Sequence, residues 1–191
     1  MCKNRDSETE MNEGNLPTIN VNEDKNEKGK EINEVIDSEY INLNQERSYK
    51  IFEFFNDLRQ NPKNYIEESK NYNLDGIITL ADNNKLNLNI RMLIQNPFYN
   101  LILESCVQKN NIKEEILSDL ESNSQFDNYQ KILYIIKSDN DNPNDFVWLL
   151  LQENKDNALE EILYKNFDFF VVSSNSILGE IYVYFLFLKK I

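Results

Sequence analysis

Six glutamates stand in adjacent pairs and are the first candidates for acid–base chemistry or metal binding: Glu67-Glu68, Glu114-Glu115 and Glu160-Glu161. Two carboxylates can pass a proton to a substrate or bind a hard cation when their oxygens converge. Adjacent side chains on a helix point about 100° apart, so their oxygens do not converge. We therefore interpret the three pairs as solvated helix faces.

The acidic stretch 139–142, Asp-Asn-Asp-Asn, has the composition of a calcium loop. It lacks the glycine and the terminal glutamate that such a loop carries at fixed positions. Asp and Asn also stabilise turns and helix starts, and we interpret the stretch in that way. A residual hydrolytic role is the alternative, and it requires Asp139 or Asp141 to lie in a pocket with a raised pKa.

The sequence contains no histidine. Histidine has an ordinary pKa near neutral pH and is the commonest metal ligand. Its absence excludes Ser-His-Asp catalysis, Cys-His catalysis and every metal site that contains histidine. Cys106 has no imidazole to activate it, so we interpret it as a buried structural thiol. We predict that the chain is not an enzyme and has no cofactor and no metal.

The net charge of -13 disfavours binding to nucleic acids and to anionic membrane surfaces. Cys2 and Cys106 are the only cysteines, which argues against a disulfide framework and favours a reducing compartment. The first residues lack the apolar core of a secretory signal, and the apolar run 181–188 is too short to span a membrane. We expect a cytoplasmic monomer.

Composition divides the chain into an acidic, Asn-rich tail at 1–45 and a domain at 46–191. The tail offers too little apolar surface to offset its ordering entropy, so we expect it to be disordered. The domain begins with a helix whose apolar face is Ile51, Phe54, Phe55 and Leu58. Arg59 near its end is expected to bind nearby carbonyls or an acid, and an anion site is the alternative.

Asn-Pro pairs at 61–62, 96–97 and 142–143 are each followed by an apolar helical pattern. The Asn side chain caps orphan backbone NH groups, and Pro at the next position has no NH to leave unpaired. We therefore expect a helix to begin at each pair. The second helix has the apolar positions Phe98, Leu101, Ile102 and Cys106, and a further amphipathic helix is predicted at 112–120.

Strands are expected late in the chain. The run 129–136 suits a helix or a strand, and 158–163 suits a short helical stretch. The runs 167–172 and 181–188 are rich in β-branched and aromatic residues and flank a polar turn at 173–176. We predict an α+β fold that ends in an antiparallel β-hairpin.

The first helix contains the run Phe-Phe-Asn-Asp-Leu-Arg-Gln-Asn-Pro-Lys at 54–63. This run resembles the opening helix of the SCP-like (sperm-coating-protein-like) domain of the CAP superfamily, which often carries Asn-x-x-Arg followed by Asn-Pro-Lys. The helix after Asn142-Pro143 and the stretch 158–167 resemble the later helix and the His-Arg-x-x-Ile/Leu signature. The resemblance spans about 49–190. It implies a three-layer α-β-α sandwich with a central antiparallel sheet.

Members of that family have a cleft with two histidines and two acids, which can take a divalent metal and has been linked to sterol, fatty-acid or peptide binding. Here Ala158 and Leu159 stand at the signature His and Arg, and Gln108 falls near the other cavity histidine. The resemblance therefore implies a degenerate, metal-free cavity in a non-catalytic binding or scaffold domain. Its ligand would be a protein or an apolar, lipid-like molecule.

Aromatic side chains are possible linings of such a cleft, and we single out Tyr134, Trp148 and Phe170. Aromatic residues at these spacings also suit a sheet packed between helices. Two further hypotheses remain beside the binding domain. One is the vestigial hydrolase, and the other is an all-helical protein-interaction module in which 167–172 is helical.

Overall fold

The predicted first helix, α1, spans 43–60 in the structure, a computed structural model that describes residues 43–84, 92–109 and 112–191. Its apolar face is buried as predicted, with Ile51, Phe55 and Leu58 fully inaccessible. The helix already includes residues 43–45, which the sequence assigned to the tail. The remainder of the predicted tail, including Cys2, lies outside the described residues.

Short helical turns follow α1, at Pro62–Tyr65, Ile66–Ser69 and Lys70–Tyr72, and lead to helix α2, Asp75–Asn84. Helical structure begins at Pro62 as predicted, but the Asn61 side chain makes no capping hydrogen bond. The Asn61 amide instead donates to the Asp57 carboxylate at 2.7 Å. The predicted cap is therefore wrong at this pair, because an acid one turn earlier binds the amide.

The Asn-Pro pairs at 96–97 and 142–143 begin helices α3, Pro97–Lys109, and α5, Pro143–Glu153. Asn96 accepts a hydrogen bond from the Phe98 NH at 3.0 Å, and Asn142 accepts one from the Asn144 NH at 3.3 Å. Both predicted caps are confirmed. Helix α4, Lys113–Glu121, occupies the predicted amphipathic stretch.

The buried face of α3 is rotated from the predicted one. The structure buries Tyr99, Leu103, Cys106 and Val107, while Phe98 is 50% exposed and Leu101 is 63% exposed. Both faces of this helix carry apolar residues, so its pattern alone does not select the buried one.

Three antiparallel strands form the sheet, in the order β1-β3-β2: β1 is Tyr129–Ser138, β2 is Phe169–Ile177 and β3 is Glu180–Lys190. The ambiguous run 129–136 is thus a strand. The central strand β3 is covered on both faces, which accounts for its nearly continuous apolar sequence. The predicted helical stretch at Ala158–Leu163 is a π-helical segment.

The C-terminal hairpin is confirmed, but its turn is not at 173–176. Those residues belong to β2, and the strands are joined by Leu178 and Gly179 between the paired residues Ile177 and Glu180. Both turn residues have positive φ, 53° and 84° respectively. A two-residue hairpin loop of this kind matches the right-handed twist of the strands.

Helices cover both faces of the sheet. On one face, α1, α2, α5 and the π-helical segment bury their apolar side chains against Phe170, Val183 and Phe185. On the other face, α3 and α4 bury theirs against Val171, Tyr184 and Leu186. The fold is therefore α+β with three layers, and the all-helical alternative is wrong.

In the ranges that the structure describes, none of the helices has the length and apolar character needed to cross a membrane.

Candidate functional site

The structure separates the positions that the family resemblance placed in one cavity. Ala158 is fully buried in the core formed with α1, α2 and α5, and Leu159 packs against that core. Gln108 is exposed near the end of α3, which packs on the opposite face of the sheet. The structure therefore does not bring Gln108 together with Ala158 and Leu159.

The three aromatic residues suggested as cleft linings lie at different depths. Trp148 and Phe170 are fully buried, and the Phe170 ring centroid lies 4.7 Å from that of Phe187. The Trp148 indole donates a hydrogen bond to the Glu68 carboxylate at 2.9 Å. Tyr134 is half-buried, with Lys113 Nζ 5.7 Å from its ring centroid. Trp148 and Phe170 are core residues in this structure.

The paired glutamates either bind a neighbouring side chain or lie in the first turn of a helical segment. Glu67 forms an ion pair with Lys70 at 2.6 Å. The pairs 114–115 and 160–161 lie in the first turns of α4 and of the π-helical segment. Acidic side chains stabilise the positive end of a helix in such positions. Among the described residues, no group of three or more His, Cys, Asp and Glu side chains is arranged to hold a metal ion.

The acidic stretch 139–142 is an exposed turn. Asp139 is exposed, and Asp141, whose side chain is 74% exposed, forms an ion pair with Arg47 at 2.7 Å. Neither acid lies in a pocket, as the hydrolytic alternative required. Asn142 also donates to Asp145 at 2.7 Å, which fits the interpretation of the stretch as a turn and helix start.

Cys106 and Arg59 both have structural surroundings. Cys106 is a buried free thiol, and burial raises its pKa, which disfavours the nucleophilic thiolate. Arg59 is buried and donates to the carbonyl oxygens of Ile162 and Lys165, at 3.5 and 2.9 Å. Burial lowers the pKa of Arg59 to about 10. The carbonyl-binding interpretation of Arg59 agrees with these contacts.

A buried polar network links the beginning of α1 to the edge strand β2. The Ser48 hydroxyl lies 3.2 Å from that of Ser174, and Ser174 donates to the Asn44 carbonyl oxygen at 2.8 Å. Arg47 donates to the Asn44 side chain at 2.7 Å and also pairs with Asp141. The network fixes residues 44–48 of α1 against β2. Sequence reasoning missed it because its members are far apart along the chain.

Asn56 fixes the stretch 92–96, which leads into α3. Its side-chain amide donates to the Leu93 carbonyl oxygen at 3.2 Å and accepts from the Leu93 NH at 2.8 Å. Asn56 is only 3% exposed, although the sequence placed it outside the apolar face of α1. The Ile94 carbonyl oxygen in turn accepts from the Phe170 NH of β2 at 3.1 Å. This segment therefore covers part of the free edge of the sheet.

A groove runs along α1 between the two helical layers, beside the free edge of β2. Three concave regions of about 50, 320 and 460 Å³ form it, and neighbouring regions share residues of α1, including Ser48 and Tyr49. We call it the edge groove. Its lining comprises Asn44, Gln45, Ser48, Tyr49, Phe52, Glu53, Asn56, Asp57, Gln60, Asn61, Met92, Gln95, Pro97, Asn100, Leu101, Glu104, Val107, Gln108, Ser173, Ser174 and Asn175.

The edge groove combines exposed apolar side chains with acidic ones. Tyr49, Met92 and Leu101 are 52%, 66% and 63% exposed. Glu53, Asp57 and Glu104 are its acids, and its described lining contains no lysine or arginine. A concave apolar surface with a few polar groups is typical of a binding site.

Two ionisable groups of the groove are perturbed by their surroundings. Burial raises the pKa of Glu104. A hydrogen bond with the Glu53 side chain raises the pKa of Tyr49, and the negative charge of Glu53 adds to the effect. The first shift reflects lost hydration of the Glu104 carboxylate, and the second places the Tyr49 hydroxyl beside an acid.

A second depression, of about 610 Å³, lies between α3 and α4 and is lined by Leu101, Cys106, Lys109 and Asp119 among others. It is wide and shallow, and it carries charges of both signs. The edge groove presents more exposed apolar side chains and charges of one sign, so it is the better candidate site.

The edge groove had one signal in the sequence. Tyr49 is a large aromatic residue of α1 outside its apolar face, and exposed apolar surface on a helix indicates a contact surface. No protein-family model, curated protein or solved structure matches this chain, so the candidate function rests on the groove itself.

Proposed function

We propose that this chain is a non-catalytic binding domain that holds a segment of another protein in the edge groove. The observation that carries the proposal is the exposure of Tyr49, Met92 and Leu101 along one continuous concave surface. Exposed apolar side chains grouped in this way mark interaction sites on proteins. The groove extends along α1 from Asn44 to Gln60, which corresponds to about 24 Å.

The framework of the groove suits a binding role because its walls are fixed. The Ser48–Ser174 contact holds one end of α1 against β2, and the paired hydrogen bonds of Asn56 hold the segment that carries Met92. A preformed groove avoids the entropic cost of ordering its walls on binding.

We also propose that the domain is a diverged relative of the SCP-like domain. The α-β-α layering and the C-terminal hairpin support this relationship. In this proposal the binding surface is the edge groove, since the positions of the family's cavity residues lie in separate layers.

A displayed library of random peptides selected against the full chain tests the binding role. Peptides that bind the groove should lose affinity by about tenfold or more for Leu101→Asp, because a charge then replaces an apolar contact, and also for Met92→Asp, since Met92 lines the edge groove and not the second depression. Leu80→Asp is the matched control, since Leu80 is a 51% exposed leucine of α2 outside the groove lining. Titration calorimetry of the recovered peptides measures the affinities.

Retained affinity with Leu80→Asp and reduced affinity with both Leu101→Asp and Met92→Asp would support the proposal. If the selection yields no binder, or if the peptides bind all three variants as well as the unmodified chain, the edge groove is not a peptide-binding site.

A further inference from the structure

We propose that the segment bound in the edge groove carries lysine or arginine side chains beside its apolar ones. This inference rests on the proposed function and specifies the chemistry of the partner. It follows from three features of the groove: the sign of its charges, the exposure of its apolar side chains and the composition of the rest of the chain.

The acids of the groove are distributed along its length. Glu53 and Asp57 lie one turn apart on α1, and Glu104 of α3 lines the same region as Ser48 and Tyr49. Ser48 and Glu53 are five residues apart on the helix, or roughly 8 Å along its axis. A bound segment would therefore meet negative charge at more than one point.

The cations of the described part of α1 are engaged elsewhere. Arg47 is buried and pairs with Asp141 at 2.7 Å, and Lys50 pairs with Glu46 at 2.6 Å. Arg59 is buried and donates to backbone carbonyl oxygens. None of the three lines the edge groove. The bound segment is thus the source of positive charge that we assign to the groove acids.

Glu104 is the acid most sensitive to such a partner. It is partly buried, and burial raises its pKa because the charged form has lost hydration. A cation placed beside a partly desolvated carboxylate interacts more strongly than one beside an exposed carboxylate. A bound cation would lower this pKa again.

The apolar part of the partner follows from Tyr49, Met92 and Leu101, which a purely polar cation would leave uncovered. Lysine and arginine suit this surface, because their aliphatic stems cover apolar side chains while their charged ends reach acids. The exposed ring of Tyr49 beside Glu53 adds a face for a cation.

Neither residues 1–42 nor a second copy of the chain is a suitable occupant of the edge groove. Residues 1–42 contain more acidic than basic side chains, and a second copy of the chain has the same net charge of -13. Both would bring further negative charge to an acidic groove, which costs free energy. Charge complementarity therefore selects a basic segment of a different protein.

Two matched synthetic peptides of about sixteen residues, roughly 24 Å long as helices, test the inference. Both have leucine or phenylalanine at every third or fourth position, with lysine between them in one and glutamate in the other. Titration calorimetry with the full chain should show binding of the lysine peptide only, weakening as salt is added. Spermine, a cation without apolar groups, should bind far more weakly than the lysine peptide.

Variants locate the charges that matter. Glu104→Gln and Glu53→Gln should each weaken the lysine peptide by about two- to fivefold, the range of partly exposed ion pairs. Glu160→Gln is the matched control, an exposed glutamate of the π-helical segment that should leave the affinity unchanged.

Equal binding of the two peptides, with loss of both on Leu101→Asp, would overturn the inference about charge and leave the proposed function standing. Binding of the lysine peptide that none of the groove variants weakens would place it elsewhere and overturn the inference. Failure of both peptides, together with failure of the library selection, would overturn the proposed function itself.

Discussion

A single amide side chain determines one wall of the edge groove. Asn56 binds both the NH and the carbonyl oxygen of Leu93, as a neighbouring strand would, and it does so from a buried position on α1. An apolar residue of similar size would leave two backbone groups without partners. The segment that carries Met92 therefore depends on this residue for its position.

We expect Asn56→Ala to lower the free energy of unfolding by about 2 kcal/mol, because it removes both hydrogen bonds and leaves the Leu93 groups unpaired. Asn56→Asp should lose at least as much at neutral pH, since a buried carboxylate oxygen would then face the Leu93 carbonyl oxygen. Chemical denaturation measures the stability, and hydrogen exchange at the Leu93 amide reports the local loss.

Asn64→Ala supplies the control for Asn56, since Asn64 is an exposed amide in the turn after α1. Its effect should stay within about 0.5 kcal/mol. Unchanged exchange at the Leu93 amide in Asn56→Ala would show that the paired hydrogen bonds of Asn56 do not hold the stretch 92–96 in place.

At the scale of elements, strands and helices follow from local pattern, while the choice of buried face does not. Both strands of the hairpin and two of the three Asn caps are confirmed. Helix α3 carries apolar residues on two faces, and only packing on the sheet decides that Leu103 and Val107 are buried while Phe98 and Leu101 remain exposed. Because of this ambiguity, the sequence did not reveal that Leu101 is exposed and lines the edge groove.

The hairpin turn shows a different limit of local reasoning. The polar run 173–176 has turn composition, yet it lies in β2, where Ser173 and Ser174 are buried. The turn itself uses Leu178 at φ 53°, a conformation that a leucine adopts at a cost. Gly179, which also has a positive φ, is the residue from which the position of the turn could have been predicted.

We predict that Leu178→Asn stabilises the protein by about 0.5 to 1 kcal/mol. Asparagine tolerates the left-handed conformation better than leucine, and the Leu178 side chain, 99% exposed, has no packing to lose. Thermal and chemical denaturation measure the gain.

Leu80→Asn is the comparison for this variant, because Leu80 is an exposed leucine in helical conformation. It should give no gain and a loss of a few tenths of a kcal/mol from helix propensity. A Leu178→Asn protein no more stable than the unmodified chain would contradict the strain argument.

At the scale of the whole molecule, Ala158 and the helix that carries Gln108 lie on opposite faces of the sheet, although the family resemblance placed both residues in one cavity. The α+β class was predicted from periodicity and strand composition, which are local properties, and the three layers were predicted from the resemblance to the SCP-like domain. The edge groove was not, because it exists only where α1, α3 and β2 meet across two layers and one sheet edge. Residues such as Ser48 and Ser174, which are distant in sequence, acquire a common role only through that assembly.

The position of the degenerate cavity residues can be tested by cross-linking. We predict that Gln108→Cys/Ala158→Cys, in a Cys2→Ser/Cys106→Ser background, forms no intramolecular disulfide under mild oxidation. Ala158 is buried on the α1 side of the sheet, whereas α3 packs on the other side. A disulfide requires Cα atoms within about 7 Å, and the sheet lies between these two layers. Counting free thiols in the monomer measures closure.

Lys137→Cys/Tyr182→Cys in the same background is the positive control, because these residues are directly opposite in the register of β1 and β3. Paired residues of antiparallel strands have Cα atoms about 4.5 to 5.5 Å apart, which suits a disulfide. Near-ultraviolet circular dichroism checks that each variant is folded, and Leu159→Cys, at a half-buried position, replaces Ala158→Cys if the buried site does not accept sulfur. Closure of the Gln108 pair in a folded monomer would place Gln108 and Ala158 in one cavity, and it would contradict the position of the sheet between the two helical layers.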